Sequence, residues 1–241
     1  MQLSSVVKTS RWILTGLIAL SVAGLVLRLA GASGSHFQFA KLGSACFVLL
    51  AVASGALATS YGRVILIALL CCAAGDVLGP RNFLMGVAAF LLGHLMFTTA
   101  FFMRGISGRR LIVTLPFVLA STILILPWLY PHVSASDRLL VLAYIAAISI
   151  MLIVAGGASA HPTGRLILIA AALFYVSDIF VARWKYVSQD QFNGIFCYPL
   201  YYAACTCFAW TALLHAKAEA TLPAPRRPET RDPRPETRVS S

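Results

Sequence analysis

Acidic residues are scarce in this chain, eight among 241 residues against nineteen lysines and arginines, and charge of either sign makes up only 11% of the sequence. A soluble domain carries roughly a quarter charged residues, so that class is excluded. With 59% apolar residues and a mean hydropathy of +0.84, the chain belongs in a bilayer. Period-two alternation of apolar and polar residues is also missing. The runs are continuously apolar and rich in Leu and Ala, which excludes an outer-membrane barrel. The six cysteines (Cys46, Cys71, Cys72, Cys197, Cys205 and Cys207) form no CxxC pair and have no histidine at metal-ligand spacing. They read as small core hydrophobes, not as a redox or zinc motif.

What is present is a series of apolar runs of roughly 17 to 23 residues, each able to cross about 30 Å of hydrocarbon as a helix. Eight are expected, over 12–30, 37–58, 63–79, 83–103, 110–130, 138–157, 165–185 and 194–215. The fold class is therefore an all-α membrane protein, an eight-helix transmembrane bundle with short loops over residues 1–216. Lys8 and Arg11 precede the first run as in a secretory signal, but the run is long and Arg28 comes before any small-residue cleavage site, so it reads as a retained helix. From Lys217 to Ser241 the chain is rich in Pro and Arg, with RPETR twice, and is expected to be a disordered tail. Its arginines suit anionic headgroups; nucleic acid is not an expected partner.

Eight crossings put both termini on one side. Lys8, Arg11, Arg63, Arg104, Arg109, Arg110, Arg165 and Lys217 fall there, against Arg28, Lys41, Arg81, Arg138, Arg183 and Lys185 on the other, a slight bias toward cytoplasmic termini. The short loops and lack of targeting features suit a bacterial inner membrane.

The acids narrow the functional question. Glu219, Glu229, Asp232 and Glu236 lie in the tail, and Asp137 and Asp190 in loops, leaving Asp76 and Asp178 for the membrane. A carboxylate at the bilayer centre costs at least about 2.5 kcal/mol, so two such acids call for a reason. Asp76 could sit at a helix end and pair with Arg81. Asp178 has no such exit, because about thirteen helical residues precede it. Following chain direction, Asp76, Asp178, Lys41, Tyr201 and Tyr202 fall in the half of the bilayer away from the termini, with His94 near the midplane. Phe83, Gly86, Phe90, His94 and Phe97 share one helical face, Tyr175 lies one turn from Asp178, and Tyr198, Tyr202 and Cys205 share a stripe. Pro199 frees the carbonyl of Ile195. A polar pocket in that half is expected.

Several segments resemble the YhhN family, which includes the lysoplasmalogenases. The match lies in "AAGDVL", in "FLMGVAAFLLGHLMFTTAFF", in "ALFYVSDIFVARWKY" and in "YPLYYAACTCFAW", with Lys41 where the family tends to have Lys-Pro. The resemblance spans roughly residues 37 to 215. Leu42, Phe97 and Cys205 depart from the family's proline, tyrosine and glutamine.

The resemblance implies hydrolysis of the vinyl ether bond of a lysoplasmalogen or related lysophospholipid to a fatty aldehyde and a glycerophosphoamine, without a metal or other cofactor. That reaction needs a proton at the β-carbon, stabilisation of an oxocarbenium ion, and an attacking water. One neutral acid and one carboxylate supply these, as in glycosidases. Asp76 and Asp178 are the expected catalytic pair. His94 would position water or one acid, Tyr202 would bond the glycerol oxygens, Tyr175 and Tyr201 would line the substrate site, and Lys41, Arg81 or Lys185 would hold the phosphate. A proton-coupled transporter could use the same buried acids. It would be expected to show repeated halves, which the eight segments do not display to the eye. A zinc hydrolase would need more central histidines than His94, since His36, His132, His161 and His215 fall at helix ends.

Overall fold

The structure is a computed structural model describing residues 2–31, 37–160 and 163–221. It contains eight long helices: α1 (Gln2–Leu29), α2 (Phe37–Ala53), α3 (Ser60–Leu78), α4 (Phe83–Phe102), α5 (Gly108–Leu129), α6 (Arg138–Ala158), α7 (Gly164–Ala182) and α8 (Phe192–Ala220). Among the described residues there is no strand. The all-α bundle read from the apolar runs is thus the observed fold.

Local chemistry sets the boundaries. Thr59 caps α3 by accepting the Gly62 amide at 2.9 Å, and Asn82 caps α4 by accepting the Met85 amide at 3.2 Å. α2 stops earlier than expected, because Gly55 turns into the left-handed region (φ 81°) and a short 3-10 turn, Ala56–Ala58, follows. α7 does not end at Ala182 but continues into a wider π-helical turn, Arg183–Val187. α8 runs to Ala220, past the expected boundary at 216. The expected disordered tail lies, from residue 222 onward, outside the described residues, as do His36 and His161.

Six helices, α1 and α3 to α7, are long and apolar enough to cross a membrane. α2 is shorter, at 17 residues, and α8 mixes its apolar residues with Asn193, Pro199, three tyrosines and a charged end. Both are held by their neighbours: α2 packs on α1, α3 and α8, and α8 also on α1, α3 and α7. Large apolar side chains face outward on the spans, with Phe117 at 74% and Leu124 at 75% exposed, the inverse of a soluble domain and the expected surface toward lipid. The protein is an integral membrane protein.

Aromatic stacking fills the interior. Phe97 and Phe208 stack at 4.1 Å between centroids, Phe101 joins them, and Phe174 meets Tyr201 edge-on at 5.3 Å. Phe97 is fully buried among these rings, which accounts for an apolar residue at that position. The α3–α4 hairpin closes most tightly at Gly86, where an added Cβ would stand 2.5 Å from the Gly79 Cα. α5 is the outlier, packing on α6 and touching the π turn while most of its surface faces outward.

Candidate active site

The ends of α3 to α8 that point away from the termini enclose a cavity of about 580 Å³, with Ala40 of α2 at its edge. Asp76 and Asp178 both line it. Around them the wall is largely aromatic and aliphatic: Phe83 and Phe90 from α4, Ile125 and Leu129 from α5, Ile145 and Ile148 from α6. Polar atoms gather at two levels, the carboxylates deep within and Lys185, Tyr186 and Gln189 at the rim.

Each carboxylate is held by hydroxyl groups. Tyr201 Oη donates to Asp76 Oδ2 at 2.8 Å, and Ser44 Oγ approaches the same oxygen at 2.5 Å. Ser44 has a single proton and three acceptors within reach, Asp76 Oδ2, the Ala40 carbonyl at 2.9 Å and, farther off, Tyr202 Oη at 3.3 Å. The Ala40 carbonyl also accepts from Tyr202 Oη at 2.8 Å. With that carbonyl satisfied by Tyr202, the Ser44 proton is free to point either way. The Asp76 oxygen can therefore meet Ser44 as acceptor or as donor, and no buried partner is orphaned.

Asp178 is held differently. Tyr144 Oη donates to its Oδ2 at 2.9 Å, and His94 Nε2 stands 3.4 Å from the same oxygen. That distance is long for a formed hydrogen bond. His94 is 1% exposed, and neither of its ring nitrogens has a hydrogen-bond partner among the described residues. The ring is clamped edge-on between Tyr144 (5.1 Å) and Phe174 (4.8 Å). A buried unpartnered imidazole aimed at a carboxylate is the most conspicuous polar arrangement in the bundle.

The sequence profile of the YhhN family matches residues 35–212. The chain belongs to the YhhN family. Comparisons with curated proteins and with solved structures return no match. All of the cavity-lining residues lie inside the stretch matched to the YhhN profile, whereas the whole of α1 and the end of α8 lie outside it.

The expected site residues divide into two groups. Asp76, Asp178, Tyr175, Tyr201 and Lys185 meet at the cavity, and His94 stands directly behind Asp178. Lys41, Arg81 and Tyr202 do not line it. Arg81 is exposed in the α3–α4 turn and makes no ion pair with Asp76, whose partners are Ser44 and Tyr201. Lys41 is half-buried one residue beyond the lining Ala40. Tyr202 is fully buried, because its ring lies over Gly43, where an added Cβ would come within 2.7 Å of it, and its hydroxyl is committed to Ala40. It supports Ser44 instead of reaching into the cavity. Lys185 is exposed at the rim with its ammonium 4.4 Å from the centre of the Phe83 ring.

Three residues at the site were not anticipated: Ser44, Tyr198 as a lining residue, and above all Tyr144. Tyr144 is the only tyrosine of α6, two turns from the end away from the termini. The same reasoning by bilayer half that grouped Asp76 with Asp178 would have placed it with them. Among the described residues, no three His, Cys, Asp or Glu side chains gather as a potential metal site.

Proposed function

We propose that this protein is a membrane-embedded hydrolase that cleaves the vinyl ether bond of a lysoplasmalogen or a closely related lysophospholipid. The observation that carries the reading is that the two acids of the membrane part line one cavity whose wall is apolar and whose rim carries a cation. Membership of the YhhN family supports the same reading.

In this mechanism Asp76 is the general acid and gives its proton to the β-carbon of the vinyl ether. Ser44 supports this choice, because its hydroxyl can reverse direction and so satisfy Asp76 before and after the proton leaves. The resulting oxocarbenium ion lies beside Asp178, whose carboxylate is supported by the Tyr144 hydroxyl and the His94 ring. Asp178 stabilises the cation and takes a proton from the attacking water, giving a hemiacetal. Collapse of the hemiacetal breaks the remaining C–O bond and releases a fatty aldehyde and a glycerophosphoamine, with one water consumed. Lys185 at the rim meets the phosphate, Tyr201 lines the wall beside Asp76, and Tyr175 lines the wall one helical turn beyond Asp178.

Incubating the purified protein with a panel of lysolipids and reading the products by mass tests this directly. The expected result is aldehyde and glycerophosphoamine from the vinyl ether lipid, with the saturated ether analogue inert because it cannot be protonated at carbon. No product from any lipid, together with proton-driven uptake in vesicles, would instead indicate a transporter.

A further inference from the structure

A second cavity, of about 230 Å³, lies between α5, α6 and α7 and is walled by Phe117, Val118, Leu152, Ala172 and Val176. Among the described residues, Tyr175 is the one side chain that lines both cavities, and its hydroxyl bonds Ser121 Oγ at 2.9 Å between them. We propose that this second cavity is the site for the hydrocarbon chain of the lipid substrate, reached from the carboxylate cavity past Tyr175; the inference rests on the function proposed above.

The order of chemistry along α7 fits one amphiphilic occupant. Lys185 stands at the rim, Asp178 about 10 Å deeper at a helical rise of about 1.5 Å per residue, Tyr175 one turn beyond, and Ala172 one turn beyond that, at the second cavity. Cation, carboxylate, hydroxyl and methyl thus follow one another from the membrane surface toward the midplane. A single-chain phospholipid presents its phosphate to the cation, its reactive bond to the carboxylate, and its alkyl chain past the hydroxyl to the methyl, in that same order.

α5 is built to let a chain through. Its main face packs on α6, and it shares no comparable face with α7. Pro116 and Pro127 interrupt it, and each removes an amide donor, freeing the carbonyls of Ile112 and Ile123. A helix so interrupted bends more readily than a continuous one. Ser121 also bonds the Val118 carbonyl at 2.8 Å, so its hydroxyl keeps a partner when Tyr175 swings away.

The test uses the full-length protein in vesicles and a non-hydrolysable long-chain alkyl ether lysophosphoethanolamine with a diazirine at the chain end. After illumination, mass mapping is expected to find the label on Leu152 or Ala172, the less exposed part of the wall, and excess unlabelled lysolipid should remove it. Label that excess lysolipid does not displace, or label confined to the outward face of α5 at Ile112, Phe117 or Leu124, would mean ordinary bilayer contact and overturn the proposal. In the activity arm, Ala172→Trp fills the cavity and is expected to raise KM for a long-chain vinyl ether lipid about tenfold or more while leaving a short-chain one unchanged. An equal effect on both chain lengths would also overturn it. Should the parent protein release no aldehyde yet take up displaceable label in the second cavity, the chain site stands and the vinyl ether reading falls. Aldehyde release with the label elsewhere would leave the vinyl ether reading standing and remove the chain site.

Discussion

At the scale of single residues, the account turns on which hydroxyl groups hold the two carboxylates. Tyr144→Phe removes the only full hydrogen bond to Asp178 among the described residues and leaves His94 at 3.4 Å as its remaining partner. A hydrogen bond to a charged group contributes about 1.5–3 kcal/mol, so kcat is expected to fall by about tenfold or more with KM little changed. Steady-state kinetics on both lipid concentration and pH checks this, and an unaltered kcat would remove Tyr144 from the site. Tyr202→Phe makes the contrasting case. Its hydroxyl serves the Ala40 carbonyl inside the core, so the variant is expected to lose about 1 kcal/mol of stability in a thermal melt while KM stays at the parent value. These two tyrosines also mark the limit of what could be read from the chain. Tyr201 and Tyr202 are neighbours in sequence and point about 100° apart around α8. Only the tertiary contact with Gly43 decides that Tyr202 goes inward and Tyr201 toward Asp76.

At the scale of elements, the π turn and the loop after it form the rim of the cavity. Asn193, fully buried, donates to the Ser188 and Asp190 carbonyls, and Arg183 bonds both Asn193 Oδ1 and Asp190 Oδ2. Asp190 lies outside the spans, and the Ser188 hydroxyl first, then the Arg183 charge, hold its carboxyl below the ordinary range. A carboxyl lowered on folding contributes stability that is present above its unfolded value, about 3.9, and is lost as pH falls through the folded one. Hydrogen exchange across residues 183–193, compared with the helices beside it, is therefore expected to speed up as pH falls below about 4. Asp190→Asn should show the faster exchange already at neutral pH. Equal exchange in parent and variant would mean that Asp190 does not tie the rim. The chain's apolar periodicity made most helix boundaries legible to within a few residues, because lengths near 20 residues are imposed by the bilayer. It missed the early end of α2, since "ASGALA" is as apolar as the helix before it and only the positive φ of Gly55 breaks the run. It also missed the π turn, which depends on how Arg183 is anchored rather than on any pattern of side chains.

At the scale of the whole molecule, a bundle otherwise starved of acid brings both membrane carboxylates to one cavity at the ends away from the termini. That grouping was legible from chain direction alone, since alternate helices run in opposite senses and residues at matching depths must share a bilayer half. The rim cation was not. Three basic residues fitted the right level, but only Lys185 lines the cavity, and the choice was made by the π turn that carries it. Because the proposed chemistry is carried by carboxyl groups, a strong chelator is expected to leave aldehyde release at the untreated rate; loss of activity that zinc restores would contradict the mechanism. The most direct measurement is aldehyde release from lysoplasmalogen by Asp76→Asn and Asp178→Asn, each first shown to melt cooperatively. The account predicts that both fall by about a hundredfold or more, since each keeps its shape and loses only its proton chemistry. A folded variant of either kind that turns over at the parent rate would contradict it.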